Sequence, residues 1–310
     1  MLLALGLLAC ATGGHPGALG WSLGGEAHVF IADDGFARAF YRELTGNGRL
    51  TDALEGRLLV AVEARTARSA TVLSMNGAAP ARVTLARFHA PQTCGYAGIV
   101  TELVLAFPPG GAAGRSAPPS HVTVVALLDA PPFAAGAGPA RPGLSAADAR
   151  ALVRRVADRA EIATRGAPLG LLHPPTLDAD RAADAGEVVA LGPRYGVGFR
   201  ATFVPGSSAD TTLITGVAAT DLELRNLSWV VGPERMRLHG GMITSPLAAK
   251  RRGGQGVRYS VRGTVSGPGG GTLLLLDEIA DVSARDSRAM AVDPATRRVV
   301  AAQPLALRCP

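Results

Sequence analysis

The sequence predicts an α+β protein dominated by antiparallel strands, with an α+β N-terminal portion followed by an all-β, sandwich- or barrel-like C-terminal portion. Three observations predict it. Short β-branched or aliphatic runs separated by turn residues recur through the first half. One strongly helical period stands at 145–166, and beyond residue 186 only alternating, strand-like patterns remain. With 310 residues and 47% hydrophobic side chains the chain can bury a sizeable core.

In chain order, a Gly-rich lead containing Trp21 precedes a short helix that Asp33 or Asp34 can cap; Phe36, Phe40 and Leu44 share one face, and 46–48 stops it. Strands are expected at 58–64, 70–75, 82–89, 99–107 and 121–128, with Pro/Gly-rich connections at 108–120 and 131–143. Ser145 and Asp148 have capping-box spacing before a helix whose apolar face is Leu152, Val153, Val156, Ala160 and Ile162. Its other face carries Arg150, Arg154, Arg155 and Arg159, interrupted by Asp158 and Glu161, which reads as a solvated surface.

Residues 166–186, rich in proline and aspartate, read as a linker. The expected organisation is therefore a leader and tether at 1–20, an α+β domain at 21–165, the linker at 166–186 and an all-β domain at 187–310. In that last part Tyr195, Val197, Phe199, Ala201 and Phe203 alternate with Gly196, Gly198, Arg200 and Thr202, as Val257, Tyr259, Val261 and Val265 do with Arg258, Ser260, Arg262 and Thr264. Both read as half-buried strands. Leu222 and Leu224 differ in parity from Leu227, Trp229 and Val231, so a β-bulge is expected near Arg225 and Asn226. The 267–271 stretch should link the Val257 strand to one at 272–279, and 293–296 (DPAT) has turn chemistry between strands at 289–292 and 297–302.

The opening residues 1–9 (MLLALGLLA) form an uncharged apolar run, too short to span a bilayer and of the size of a secretory h-region. Leu7, Leu8, Ala9 and Cys10 resemble a bacterial lipobox, which implies lipidation at Cys10. Setting Cys10 aside leaves Cys94 and Cys309, the number that one disulfide needs; two unrelated buried thiols are the alternative. A bond closing so long a loop would stabilise the fold by about 5 kcal/mol at most.

The net charge of +6 comes from scattered arginines, and the sparse aromatics offer no base-stacking platform, so a nucleic-acid partner is not expected. Lys250 is the only lysine, so Schiff-base chemistry would have to use it. The sequence contains no Walker-type phosphate loop, G-x-S-x-G elbow, H-E-x-x-H helix or C-x-x-C pair, and no cofactor or metal is expected. The glycines at 253–256 and 267–271 suit hairpins better than phosphate cradles.

His89 and Cys94 form the densest reactive cluster, but a disulfide would consume that thiolate. Asp277, Glu278, Asp281 and Asp286 could serve glycoside hydrolysis or calcium binding, yet Asp277 and Glu278 point to opposite faces of a strand. Solvated edge charges answering Arg285, Arg288, Arg297 and Arg298 are the expected reading. His28, His121, His173 and His239 read as isolated.

The expectation is an extracytoplasmic envelope protein with a binding or scaffolding role and no catalysis, touching the membrane only through a lipid at Cys10 and contacting an unidentified envelope component. Two alternatives remain. One is a secreted hydrolase of an extracellular polymer using Asp277, Glu278, Asp281 or His89, and the other is an intracellular β-rich protein.

Overall fold

A computed structural model describes residues 17–32, 34–47, 51–108, 121–130, 143–164, 176–177, 188–203, 210–239, 242–243, 257–267, 271–280, 287–307 and 309. The connections at 109–120 and 131–142, the linker expected at 166–186 except Thr176 and Leu177, the glycines of 253–256, Lys250 and the leader with Cys10 lie outside these residues.

The chain forms β1 (Gly17–Leu23), β2 (Glu26–Ala32), α1 (Gly35–Asn47), α2 (Asp52–Thr66), β3 (Ser69–Ser74), β4 (Gly77–His89), β5 (Val100–Ala106), β6 (Thr123–Leu128) and α3 (Ala146–Thr164). There follow β7 (Thr176–Leu177), β8 (Val188–Leu191), β9 (Arg194–Phe203), β10 (Asp210–Thr220), β11 (Ser228–His239), β12 (Met242–Ile243), β13 (Val257–Ser266), β14 (Thr272–Ala280), β15 (Arg288–Asp293) and β16 (Arg298–Pro304). Antiparallel strands thus dominate, as expected. β1–β6 close a barrel in the order β1-β2-β5-β4-β3-β6, β7–β12 form a second sheet, and β13-β14-β15-β16 a third.

The barrel interior is filled mostly by alanine and valine, among them Ala18, Ala27, Val29, Val72 and Ala81, with Leu103 and Leu105 from β5. Small side chains are what a narrow barrel can enclose. On its outside, Leu19, Leu73, Val125 and Leu127 pack on Leu273, Leu275, Ala291 and Ala301 of the third sheet. The other face of that sheet, with Tyr259, Val261, Leu274 and Leu276, packs on Val217, Ala219 and Val230 of the second. The second sheet in turn buries Tyr195, Val197, Phe199 and Ile214 under Leu152, Val156 and Ala160 of α3. The order of layers is α3, second sheet, third sheet, barrel.

Of the two strands predicted to be half-buried, β13 alternates in burial as expected, whereas β9 is buried on both sides. Gly196 and Gly198 of β9 face the third sheet, where a Cβ on Gly196 would lie 2.6 Å from Leu274 Cδ2. Glycine stands there because the sheets approach closely. In β13 the register shifts between Val261 and Gly263, making Arg262 a bulge residue. The extra residue turns Val265 toward the barrel while Val261 stays against the second sheet.

Several local expectations change. Residues 58–64 are not a strand but the middle of α2, because Thr51 caps it (Leu54 N–H to Thr51 Oγ1, 3.3 Å) and Asp52, Glu55 and Arg65 complement its dipole. Leu59 and Val60 of that run are 56% and 65% exposed. The Gly-rich lead is the β1–β2 hairpin, turning at Gly24 and Gly25 with φ of 60° and 89°. At Gly20 a Cβ would run into the His28 carbonyl, so the glycine is required by the pairing. The expected bulge at Arg225 and Asn226 is instead a turn held by Asp221, whose carboxylate accepts from Arg225 N–H (2.8 Å) and Asn226 Nδ2 (3.1 Å). Ile162, expected in the core, is 57% exposed at the end of α3.

Other readings hold. Ser145 caps α3, accepting from Asp148 N–H at 3.1 Å, and the DPAT turn closes through Ala295 N–H to Asp293 Oδ1 at 2.9 Å.

Leu274 is completely buried between two layers that are themselves packed. Leu274→Ala should therefore lower unfolding stability by about 3 kcal/mol, whereas Met75→Ser at an exposed position should stay within about 0.5 kcal/mol. Urea titration followed by circular dichroism measures both.

Candidate functional site

Odd-numbered residues of β5 enter the barrel and even-numbered ones point out of it, so Glu102 lies on the outer wall. It is not solvated there. Phe30, Val100, Leu307 and the two cysteines form a small core over this wall, and Glu102 is only 2% exposed. A buried carboxylate is tolerable only when its oxygens are satisfied. Oε1 accepts from His28 Nδ1 and Oε2 from His89 Nε2, each at 2.7 Å, with both imidazoles 16% exposed. The pairing places them: Phe30 on β2 and Arg87 on β4 stand opposite Glu102, so His28 and His89 reach it diagonally from either side.

Burial pushes the Glu102 carboxyl up, but hydrogen bonds from His28 and His89, aided by their charge, outweigh it and hold it below its ordinary range. Ionised, it can only accept, so His28 carries its proton on Nδ1 and His89 on Nε2.

The expectation that His28 is isolated is thus corrected: it is one arm of a His28–Glu102–His89 triad. Sequence reasoning missed Glu102 altogether. Its one signal was a lone charge inside an otherwise apolar strand.

The structure joins Cys94 to Cys309, with sulfurs 2.04 Å apart. Both are buried, at 1% and 7% exposure, so the disulfide serves structure; the His89-activated thiolate does not exist in this state. Such a bond fits an oxidising, extracytoplasmic setting. It fastens the C-terminal segment over the His28–Glu102–His89 wall.

Between the barrel, the third sheet and that segment lies a cavity of about 280 Å³ lined by Trp21, Thr123, Arg262, Ala289, Gln303 and Leu307, among others. The bulge aims Arg262 at its edge, where Nε donates to Asp277 Oδ2 at 2.6 Å. Asp277, Ala289 and Gln303 stand in register across β14, β15 and β16. Asp277 Oδ1 and Gln303 Oε1 are buried with no hydrogen-bond partner among the described residues. Burial outweighs Arg262 and raises the Asp277 carboxyl above its ordinary range.

The expected solvated edge charges are corrected as well. β14 is an inner strand, and Asp277 and Glu278 are 7% and 4% exposed. They do point to opposite faces: Glu278 takes a two-point contact from Arg288 (Nε to Oε1, 3.0 Å; Nη2 to Oε2, 3.3 Å), away from Arg262. These two carboxylates cannot converge on one substrate. Asp281, Asp286, Arg285 and His173 lie outside the described residues, as does the side chain of His239, while His121 is exposed in a turn.

No protein-family model matches the chain, and no curated protein or solved structure is similar to it.

Two acid limbs of opposite sign follow. Glu102, held below its ordinary value near 4.5, contributes stability that is full above that pH and is lost as pH falls through its lowered folded value. Glu102→Gln should lower stability at pH 7 by about 2 kcal/mol and flatten the acid limb of the unfolding curve. Asp277, held above its ordinary value near 3.8, destabilises increasingly as pH rises through its raised folded value. Asp277→Asn should therefore raise the melting temperature at pH 7 relative to wild type, with the advantage fading as pH falls from the raised folded value toward 3.8 and absent below it. Melting temperatures across pH 3–8 test both.

Proposed function

We propose that this protein is an exported binding protein of the cell envelope, held at a membrane surface by a lipid on Cys10, and that it recognises its ligand in the cavity between the barrel and the third sheet. The observation that carries the binding half is the chemistry of that cavity. Trp21 offers an aromatic face, Arg262 a guanidinium held at the edge by Asp277, and Gln303 an amide whose Oε1 has no hydrogen-bond partner among the described residues. A ligand bearing hydroxyl or ammonium groups supplies the donor that this amide oxygen lacks, and a carboxylate on it would suit Arg262. Saccharide or peptide fragments of an envelope polymer have this chemistry. What supports the export half is the buried disulfide together with the apolar leader; among the described residues no helix is long and apolar enough to cross a membrane.

Two measurements test the proposal. Mass spectrometry of the protein from its native cells should find an N-terminus at Cys10 carrying a lipid; recovery from cytosol with residues 1–9 intact and free thiols refutes export. For binding, Trp229→Phe leaves Trp21 as the only tryptophan. Its fluorescence should respond saturably to soluble saccharide or peptide fragments of envelope polymers, with affinity reduced tenfold or more by Arg262→Ala and abolished by Ala289→Leu, which fills the cavity. A panel of such fragments without effect, or a response indifferent to both substitutions, refutes recognition in this cavity.

A further inference from the structure

One side-chain cluster lies beside the cavity and contributes none of its lining residues. A ring nitrogen of His89 and the sulfurs of Cys94 and Cys309 all lie within 4.8 Å of one another. As a disulfide the sulfurs are poor ligands, but as thiolates they and an imidazole are a donor set that suits zinc. Glu102 adds a second observation. By accepting from His89 Nε2 at 2.7 Å it leaves Nδ1 as the nitrogen with a lone pair to offer, and it fixes the ring. Carboxylates in this outer position are a regular feature of zinc-bound histidines. His28 on the other oxygen holds the carboxylate in place.

We propose that the dithiol form of this protein binds one zinc-type ion through Cys94 Sγ, Cys309 Sγ and His89 Nδ1, so that disulfide and metal site are alternative states of the same three residues. A soluble dithiol brings about the change by exchange. Its two S–H groups become a disulfide, the Cys94–Cys309 bond breaks, and two electrons and two protons pass to the cysteine sulfurs. The ion then forms two metal–sulfur bonds and releases those two protons. Cys309 belongs to the segment that follows the last strand, so its sulfur can move apart from Cys94 to span an ion without disturbing a sheet. Three protein donors leave the fourth position of a tetrahedral ion for water or an external ligand.

The full chain, reduced with dithiothreitol and desalted under argon, is titrated with cobalt(II) as a coloured substitute for zinc. The expected result is a thiolate-to-cobalt charge-transfer absorption saturating at one ion per chain, bleached by zinc, and absent from the oxidised protein. His89→Ala, which keeps both thiols, should weaken binding more than a hundredfold, and Glu102→Gln by ten- to a hundredfold. No charge-transfer band in the reduced wild type, or equal affinity in His89→Ala, overturns the proposal. Should circular dichroism show that the reduced chain is unfolded, zinc must restore the folded spectrum in wild type and not in His89→Ala; failure to do so overturns it equally. The cavity is tested separately, on the oxidised protein.

Discussion

Leu273, Leu274, Leu275 and Leu276 on β14 alternate between two apolar neighbours, the barrel wall on one side and the second sheet on the other. A sheet packed on both faces has no side on which polar residues can be left to water. The rest of the architecture adapts to this. The second sheet presents glycine at 196 and 198 so that the layers can close, and the barrel presents Leu19, Val125 and Leu127 where an isolated barrel would expose polar residues. Any charge on β14 must then carry its own compensation, and Asp277 and Glu278 each have an arginine.

The same constraint sets the fate of the C-terminus. Once β16 ends, the chain crosses from the third sheet to the barrel wall, where Leu307 and Cys309 cover Phe30 and Val100. Burying Glu102 beneath this segment would be costly for a bare carboxylate, and the two imidazoles offset it. Disulfide and triad thus act together: one fixes the covering segment in place, the other makes the covered surface tolerable.

What the sequence revealed was whatever is decided within a few residues. The Ser145–Asp148 cap, the Asp293 turn and the alternation of β9 depend on neighbours in the chain, and each was readable. Residues 58–64 were misread because the apolar run at 58–62 fits a buried strand as well as a helix, and the deciding signals, the Thr51 cap and the first-turn acids, lie upstream of it. β1 and β2 were hidden because Gly20 and Gly24 look like loop residues, although Gly20 is demanded by a partner strand. The triad was invisible for a different reason. His28 lies 74 residues from Glu102 and His89 lies 13 away, and only the barrel pairing of β5 with both β2 and β4 brings them together.

The arrangement of charges also bears on what chemistry these residues suit. Proton-transfer catalysis by a carboxylate requires an oxygen within hydrogen-bond reach of a substrate atom and free to exchange a proton. Glu102 meets imidazoles, but both its oxygens are occupied and it is held ionised under the C-terminal segment. Asp277 is shifted the other way and borders the cavity through Arg262, while Glu278 turns to the opposite face against Arg288. Each acid has a partner and a face that separates it from the others. Residues arranged in this way hold surfaces together and present fixed hydrogen-bonding groups, which is the requirement of recognition. The Asp277–Arg262 pair stands at the edge of the cavity lined by Trp21 and Gln303, where we propose recognition.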